Sequence, residues 1–345
     1  MIGAPDYKIY NVKRAGLCPA FFLPWAASRP RACILLFNTL ISLNYFEAKD
    51  PESVNLGTVG PEINKKFGAY LAGLWEGDGS IWIPKMTHAP SGKRYTPHFY
   101  ITFHDKDYPF VLALQKLIGG TIRNKSENHA YVLTISSING LQNVIYLMNG
   151  YLRTPKVHQF NKLIQWINTN YFSTKPIVCN DVDISPIISN AWLSGFIDAD
   201  GSFDVKVREK SSDGKGKNRV EARLRIEQRI IDPSTELSYY SVIKSIASSL
   251  NVKLNTSLHN EGIEYYIISI TSPVKLKTLI NYLDTYPLFS SKLLNYLDFK
   301  FCVNLMLSRE HLTEQGRDNI KIIKAGMNRK RTYYTWDHLE KLSEY

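Results

Sequence analysis

Apolar and polar residues alternate along the chain from residue 61 onward in an order that occurs twice. Strand-like alternation is found at 99–103, 131–135, 224–228 and 265–270. Apolar residues at helical spacing are found at 110–118, 141–148, 242–250 and 274–283. With a helix at the start of each set, the pattern predicts an α+β fold of two pseudo-symmetric α-β-β-α-β-β-α halves.

The periodicity also suggests limits for the parts of the chain. Residues 1–60 contain several prolines and no helical or strand period, so they are expected to form a loosely ordered N-terminal extension. The first half is expected over 61–170, and a linker containing Pro176 and Pro186 over 171–190. The second half, with a basic C-terminal tail, is expected over 191–345.

A fifteen-residue segment repeats at the start of each half. AYLAGLWEGDGSIWI at 69–83 and AWLSGFIDADGSFDV at 191–205 share six identical positions, among them the Asp-Gly pairs at 78–79 and 200–201. Each copy is typical of a helix that runs directly into a strand, with glycine at the junction. An internal duplication of this kind indicates two related structural units, whereas a local turn would not require the same segment twice.

The repeated segments predict a shared acidic site. Gly73 and Gly77 in one copy, like Gly195 and Ala199 in the other, are small residues four apart, so they lie on one helix face and allow a close helix pair. Such packing brings Asp78 and Asp200 towards a common axis. Two carboxylates beside phosphate oxygens are typical Mg²⁺ ligands, which predicts metal-assisted phosphodiester hydrolysis. The alternative is that each Asp-Gly is only a turn dipeptide, which the duplication disfavours.

The composition indicates which classes of partner the chain could bind. The chain has 42 Lys and Arg against 31 Asp and Glu, a formal charge of +11, which favours a polyanion such as nucleic acid or anionic lipid. The longest apolar run, 32–46, is interrupted by polar residues and shorter than the roughly 20 residues of a membrane span, so no membrane partner is expected. The four cysteines form no CxxC pair, which disfavours a disulfide framework and a cysteine zinc site.

Basic residues on the predicted strands suggest a DNA-reading surface. Lys206 and Arg208 share the polar face of one strand, and Arg223, Arg225 and Arg229 alternate with apolar residues on the next. A two-stranded ribbon of this kind can enter the major groove and offer Arg to guanine. Contacts to DNA phosphates are expected from a further set of cations, namely Lys85, Lys93, Arg94, Lys210, Lys215, Lys217 and Arg219.

With both acidic motifs in place, the chain resembles a single-chain, two-motif LAGLIDADG homing endonuclease of the intron-encoded organellar type, over about residues 61–332. The resemblance implies a curved saddle of antiparallel strands over DNA and site-specific cleavage of both strands that promotes intron mobility. It also implies a monomer with internal pseudo-two-fold symmetry, and Mg²⁺ or Mn²⁺ bound by Asp78 and Asp200. Trp75, Glu76 and Gly77 depart from the family's motif, but the terminal acid and glycine are kept.

Further site residues follow from the resemblance alone. The family's supporting lysine maps to Lys156 and Lys292, although the interval from acid to lysine is longer in the second half. The family's solvent-positioning polar residue maps to His104 and Gln228. Gln228 shares the strand parity of apolar Leu224 and Ile226, so either a bulge turns it or the assignment is off by one.

Two competing functions remain open at this point. One is an intron maturase that binds intron RNA, alone or as a second activity, and the other is a cleavage-inactive DNA-binding protein. Met1–Asp6 resembles a peptide of cytochrome c oxidase subunit I, which suggests a mitochondrial intron product with residues 7–60 as translated intron lead. The basic residues of that segment alternatively resemble a mitochondrial transit peptide. Both interpretations predict a mitochondrial protein, the first of them mitochondrially encoded.

Overall fold

The computed structural model describes residues 61–345 apart from Thr87, 211–215 and 260–261, and the side chains from residue 65 onward. The expected N-terminal extension and the proposed phosphate contact Lys215 lie outside the described residues. Within the described part, no helix is both long enough and apolar enough to cross a membrane.

Helices and strands follow the predicted order in both halves. In chain order the first half contains α1 (Pro61–Asp78), β1 (Gly79–Trp82), β2 (His98–His104), α2 (Tyr108–Ile118), β3 (Thr121–Lys125), β4 (Ala130–Ile135), α3 (Ile138–Met148) and α4 (Val157–Tyr171). The second half contains α5 (Trp192–Asp200), β5 (Gly201–Arg208), β6 (Arg219–Arg229), α6 (Tyr240–Ser249), β7 (Leu254–Leu258), β8 (Glu264–Ile270), α7 (Pro273–Thr285), α8 (Lys292–Leu307) and α9 (Glu314–Ala325). The predicted α-β-β-α-β-β-α order is therefore confirmed, with α4, α8 and α9 added to it.

Each half forms one antiparallel four-stranded sheet, and the two sheets have the same topology. The strand orders are β1-β2-β4-β3 and β5-β6-β8-β7. The registers also correspond, because Gly79 pairs with Ile101 and Gly201 pairs with Ile226. This correspondence defines equivalent positions in the two halves, so Ile101 of β2 matches Ile226 of β6.

One face of each sheet is buried and the other is open. Alternate residues such as Phe99 and Ile101 on β2, and Leu224 and Ile226 on β6, are at most 1% exposed and belong to one hydrophobic core shared by both halves. The residues between them point to the opposite face, where their exposure is intermediate or high. Period-two alternation in the sequence thus leaves two outer strand surfaces available for a partner.

The motif helices α1 and α5 pack backbone against backbone. A Cβ atom added to Gly73 would lie 1.9 Å from the Trp192 carbonyl oxygen, and one added to Gly195 would lie 2.0 Å from the Tyr70 carbonyl oxygen. Nearer the C-terminal ends, a Cβ atom on Gly77 would lie 2.1 Å from that of Ala199. The close helix pair predicted from small residues four apart is present, and both helices end at the same end of the seam.

Two helices that the sequence analysis did not identify begin at the proposed lysines. Lys156 immediately precedes α4 and Lys292 is the first residue of α8. The buried residues of α4 include Val157, Phe160 and Ile164, at the spacing expected of one helix face. The periodic signal for α4 was therefore present in the sequence, directly after Lys156.

Candidate active site

The two terminal motif acids meet at the C-terminal ends of the packed helices. Asp78 is the last residue of α1 and Asp200 is the last residue of α5. A Cβ atom on Gly77 would lie 3.4 Å from Oδ2 of Asp200, so the Asp200 carboxyl reaches the backbone next to Asp78. Asp78 is exposed and Asp200 is half-buried. Solvent therefore reaches both residues, although protein surrounds most of each carboxyl group.

Electrostatics at this point favour a bound cation. Desolvation by the surrounding protein raises the pKa of Asp200 to about 7, the Asp78 carboxylate adds to this effect, and Lys292 and Lys156 oppose it. Desolvation likewise raises the pKa of Asp78, against the lowering effect of Lys292 and then Lys156. Two crowded carboxylates that resist ionisation gain most from a divalent ion or another concentrated positive charge.

Lys156 and Lys292 occupy equivalent positions beside the acids. The Nζ of Lys156 donates to the carbonyl oxygens of Gly77 (3.0 Å) and Gly79 (2.8 Å). The Nζ of Lys292 donates to the carbonyl oxygens of Ile197 (3.1 Å) and Ala199 (2.8 Å). Each ammonium group therefore caps the negative end of its own motif helix. The longer interval to Lys292 in the sequence does not displace it from the symmetric position.

Burial lowers the pKa of both lysines, and neighbouring carboxylates oppose that effect. For Lys156 the largest opposing influence is Asp200, followed by Glu76 and Asp78. For Lys292 it is Asp198, followed by Asp78 and Asp200. Each lysine thus interacts electrostatically with the terminal acids of both halves, so the ionisation of the four groups is coupled.

The loop before Lys156 is held by a buried acid of the first motif. Glu76 is fully buried and accepts hydrogen bonds from the backbone N–H groups of Arg153 (3.0 Å) and Thr154 (2.6 Å), and from the Thr154 hydroxyl (2.6 Å). Burial raises the pKa of Glu76, and these hydrogen bonds oppose the rise. The Glu76 carboxyl therefore fixes the backbone two residues before Lys156.

The second motif repeats this arrangement with different residues. Asp198 accepts hydrogen bonds from the backbone N–H groups of Phe289 (2.6 Å) and Ser290 (3.2 Å), and from the Ser290 hydroxyl (2.5 Å). Ser290 stands two residues before Lys292, as Thr154 stands two residues before Lys156. The correspondence supports the assignment of Lys292, which the sequence interval alone left less secure.

Each buried acid is also bound by an aromatic side chain of the opposite helix. Trp192 donates its indole N–H to Glu76 at 2.6 Å, and Tyr70 donates its hydroxyl to Asp198 at 2.6 Å. These crossed bonds tie each lysine-bearing loop to both motif helices. The lysine positions consequently depend on the packing of the whole seam.

A cavity of about 680 Å³ opens next to Asp78. Its walls include Lys292, His104 and Asp107 as well as Asp78 itself. A volume of this size accommodates a phosphate group with several waters. The cavity therefore offers a place where a ligand can contact the acid, the lysine and the end of β2 together.

The prediction that His104 and Gln228 occupy equivalent positions in the two halves is wrong. By the strand registers, His104 on the outer face of β2 matches Arg229 of β6, whereas Gln228 matches the buried Phe103. Gln228 pairs with Tyr266 in an uninterrupted register, so no bulge turns it. His104 does line the cavity, with a side chain that is 57% exposed.

Two aspartates that the sequence analysis missed occupy equivalent positions just beyond these strands. Asp107 lines the cavity, is 8% exposed and accepts a hydrogen bond from the Ser291 backbone N–H at 2.7 Å. Asp232 is 2% exposed and accepts from the backbone N–H (3.0 Å) and the hydroxyl (2.7 Å) of Thr235. The sequence signal for both was an aspartate three residues after the matched strand ends, His104 of β2 and Arg229 of β6.

The structure places the proposed DNA contacts in two groups. Those on the outer face of the second sheet are Lys206, Arg208, Arg219, Arg223, Arg225 and Arg229. Lys85, Lys93, Lys210 and Lys217 are exposed outside the strands. Arg94 is also exposed, but its guanidinium lies 4.7 Å from the centre of the Tyr171 ring and donates to Asn170 at 2.9 Å.

The donor set fits a divalent cation that is completed by a ligand. No group of three or more histidine, cysteine, aspartate or glutamate side chains forms a complete metal cage within the described residues. The converging oxygens of Asp78 and Asp200 are hard donors, and Mg²⁺ is commonly bound through one or two carboxylates with phosphate oxygens and waters. The residues present therefore fit a shared ion that binds together with a phosphodiester.

The raised pKa of Asp200 predicts a pH dependence of stability without divalent ions. Between about pH 4 and 7 the native carboxyl holds a proton that the unfolded chain has released, so this contribution is lost as pH rises through about 7. The free energy of unfolding of the parent, relative to that of Asp200→Asn, should be lower at pH 8 than at pH 5. Urea unfolding of both proteins in a chelator measures this difference, and a constant difference would contradict the prediction.

Comparisons with known proteins identify the repeated unit. A family model described as LAGLIDADG endonuclease matches twice, at residues 71–167 and 193–303. The chain is 57% identical over 99 residues to a probable intron-encoded DNA endonuclease of Mycosarcoma maydis, covering 29% of this chain and 82% of that protein. It is 29% identical over 304 residues to an intron-encoded DNA endonuclease of Saccharomyces cerevisiae, covering 80% of this chain and 72% of that protein.

A solved structure has the same fold. The crystal structure of the I-LtrWI LAGLIDADG homing endonuclease bound to target DNA superposes with a TM-score of 0.57 at 22% identity. The match covers 78% of this chain and 99% of that one. It shows that the two sheets and the paired motif helices form the architecture found in that protein.

Proposed function

Because the chain belongs to the LAGLIDADG endonuclease family, we propose that it cleaves both strands of a specific DNA site at the seam between α1 and α5, thereby promoting mobility of its intron. It is a DNA endonuclease with two pseudo-symmetric halves. The observation that carries the proposal is the convergence of Asp78 and Asp200, flanked by Lys156 and Lys292. A surface that only binds RNA has no need of converging carboxylates, so this site favours the nuclease over a maturase.

Asp78 and Asp200 are the residues that would hold the divalent cation, which we assign as Mg²⁺ with Mn²⁺ as a substitute. Their oxygens match the ligand preference of both ions. When bound, such an ion supplies Lewis-acid stabilisation of the charge that develops on a scissile phosphate.

The chain's own residues supply the rest of the site. Lys156 and Lys292 hold positive charge beside the acids, where the phosphates of the two strands would lie. Asp107 binds the Ser291 N–H through Oδ1, which leaves Oδ2 to accept a hydrogen bond from a water in the cavity. Asp232 occupies the matching position in the other half, where its charge raises the pKa of Lys156, but its Oδ2 already accepts from Ser234 and Thr235 and its Oδ1 from Tyr239.

The outer faces of the two sheets form the proposed DNA surface. Two sheets that begin from one helix seam give a monomer with an internal pseudo-two-fold axis, and their different residues allow an asymmetric target. We place the protein in the mitochondrion because the peptide at Met1–Asp6 resembles cytochrome c oxidase subunit I. The names of the intron-encoded relatives agree with an intron product.

The decisive substrate is DNA that contains the joined exons flanking the intron. Purified protein with Mg²⁺ should cut this DNA on both strands and leave the same DNA interrupted by the intron intact, because the intron divides the recognition site. Omission of Mg²⁺ with added chelator should prevent cutting. Equal cutting of both alleles, or cutting in chelator, would contradict the proposal.

Binding should weaken steeply with salt, since cations on the outer faces displace counterions from DNA phosphates. With about six phosphate contacts, affinity should fall roughly a thousandfold between 50 and 200 mM salt. Titration of a labelled duplex in chelator measures binding without cleavage. An affinity that is flat across this range would argue against a phosphate-lined interface.

A further inference from the structure

The outer surfaces of the two sheets carry the same residue at Ser80 and Ser202 but differ at the neighbouring matched positions. On the first sheet, outward residues of β2 are His98, Tyr100 and Thr102, with Trp82 of β1 paired beside His98. The corresponding residues of the second sheet are Arg223, Arg225 and Glu227 on β6, with Asp204 paired beside Arg223. Aromatic and neutral side chains in one half thus stand where charged side chains stand in the other.

On β1 and β2 the first surface is an ordered aromatic cluster, whereas the cations of this sheet, Arg123 and Lys125, lie on the edge strand β3. Trp82 is 44% exposed, and its ring centre lies 5.2 Å from that of His98 and 6.4 Å from that of Tyr95. The Nδ1 atom of His98 lies 2.7 Å from the Tyr100 hydroxyl oxygen. Neighbours hold these rings in place, so the surface presents apolar faces without a large ordering cost on binding.

The second surface is a network of paired charges. Arg223 donates to Asp204 at 3.3 Å, and Arg225 donates to Glu227 at 2.9 Å. Glu227 is also 2.6 Å from Nε2 of His259, whose ring stacks on Tyr265 at 4.2 Å. The carboxylates fix the orientation of both guanidinium groups, and each group has further N–H donors for a ligand.

The acids on this surface distinguish base reading from phosphate binding. On a face that only bound phosphates, Asp204 and Glu227 would lower the affinity for DNA, because each carboxylate repels the DNA backbone. In the major groove, however, arginine pairs with O6 and N7 of guanine, and carboxylates accept from N4 of cytosine. Mixed Arg and Asp/Glu side chains are therefore suited to G·C pairs, and uncharged aromatic side chains to the thymine methyl group.

We infer that the DNA target is asymmetric in base composition. The half-site under the second sheet carries G·C pairs opposite Arg223 and Arg225, and the half-site under the first sheet is A·T-rich opposite Trp82 and Tyr100. This inference rests on the proposed function and adds to it the chemistry of each half of the substrate.

Selection from a pool of random duplexes tests the inference. The full chain is incubated with the pool in chelator, bound DNA is recovered over several rounds, and the enriched sequences are aligned. The expected motif has one half richer in G·C and the other richer in A·T. A motif with equal composition in both halves would overturn the inference while leaving the endonuclease assignment intact, whereas failure to enrich any motif would overturn both.

Variants at equivalent positions assign each half-site to its sheet. Arg225→Ala should reduce the preference for guanine by on the order of 5- to 150-fold at one position of the G·C-rich half and leave the other half unchanged. Tyr100→Ala, at the matching position of the first sheet, should relax only the A·T-rich half. Both side chains lie on the outer face, and thermal unfolding verifies that each variant folds. Relaxation in the opposite half, or in neither, would overturn the inference.

Discussion

Double-strand cleavage should be abolished by Asp78→Asn and by Asp200→Asn, each with a loss of about a thousandfold or more. Asparagine keeps the shape of the side chain but removes the charge that binds a divalent cation. The loss of several kcal/mol of transition-state stabilisation corresponds to this factor. Rates of linearisation of a target plasmid in Mg²⁺ measure the effect under single-turnover conditions.

Binding and folding should survive both substitutions. Removal of one negative charge near the phosphates leaves DNA affinity in chelator unchanged or slightly higher. Because the Asp200 carboxyl resists ionisation in the folded protein, Asp200→Asn should be at least as stable as the parent at pH 8. Loss of cleavage with retained binding would therefore show that the two acids act in the reaction and not in folding or DNA binding.

Asp181→Asn is the matched control. Asp181 is exposed in the segment between α4 and α5 and does not line the cavity next to Asp78. Cleavage by this variant should equal that of the parent. If Asp78→Asn and Asp200→Asn also cut at the parental rate, neither acid would belong to the mechanism.

The second large effect expected is a loss of stability when the glycines between α1 and α5 are replaced. Gly73→Ala and Gly195→Ala each place a Cβ atom about 2 Å from a carbonyl oxygen of the opposing helix, where no side chain can move aside. Relief of the clash requires the two helix backbones to separate. The expected loss is about 3 kcal/mol or more in the free energy of unfolding, a large part of the stability of an ordinary domain.

Gly326→Ala provides the control for this pair. The nearest atom that its Cβ would meet is the Ile323 carbonyl oxygen at 3.6 Å, an ordinary contact. Urea unfolding should show little change for Gly326→Ala and a marked loss for the two seam variants. Seam variants as stable as this control would mean that α1 and α5 do not pack as closely as described.

The seam variants should also slow cleavage in whatever fraction remains folded. Trp192 and Tyr70 bind the buried acids Glu76 and Asp198 from across the seam, and these acids hold the loops that precede the lysines. Separation of the helices would therefore shift Lys156 and Lys292 along with Asp78 and Asp200. The same packing that closes the core sets the geometry of the reaction site.

The sequence determined the repeated α-β-β-α-β-β-α elements and the two terminal acids, but not the helices α4, α8 and α9. The duplicated motif identified Asp78 and Asp200, and small residues four apart predicted the close helix pair, because both signals are local and repeat within a few residues. Alternation along the strands likewise separated core residues from the outer arginines. These features depend on periods of two and 3.6 residues, which the order of residues contains directly.

Only the tertiary structure decided which distant residues complete the site. Lys292 reaches the position equivalent to Lys156 because Asp198 and Glu76 bind matching loops, and no interval along the chain encodes this. By the strand register His104 matches Arg229 and not Gln228, and a long-range hydrogen bond from the Ser291 N–H holds Asp107 at the cavity. The reason is physical, since register and long-range hydrogen bonds depend on which segments meet in the folded chain, whereas local periodicity specifies only the segments themselves.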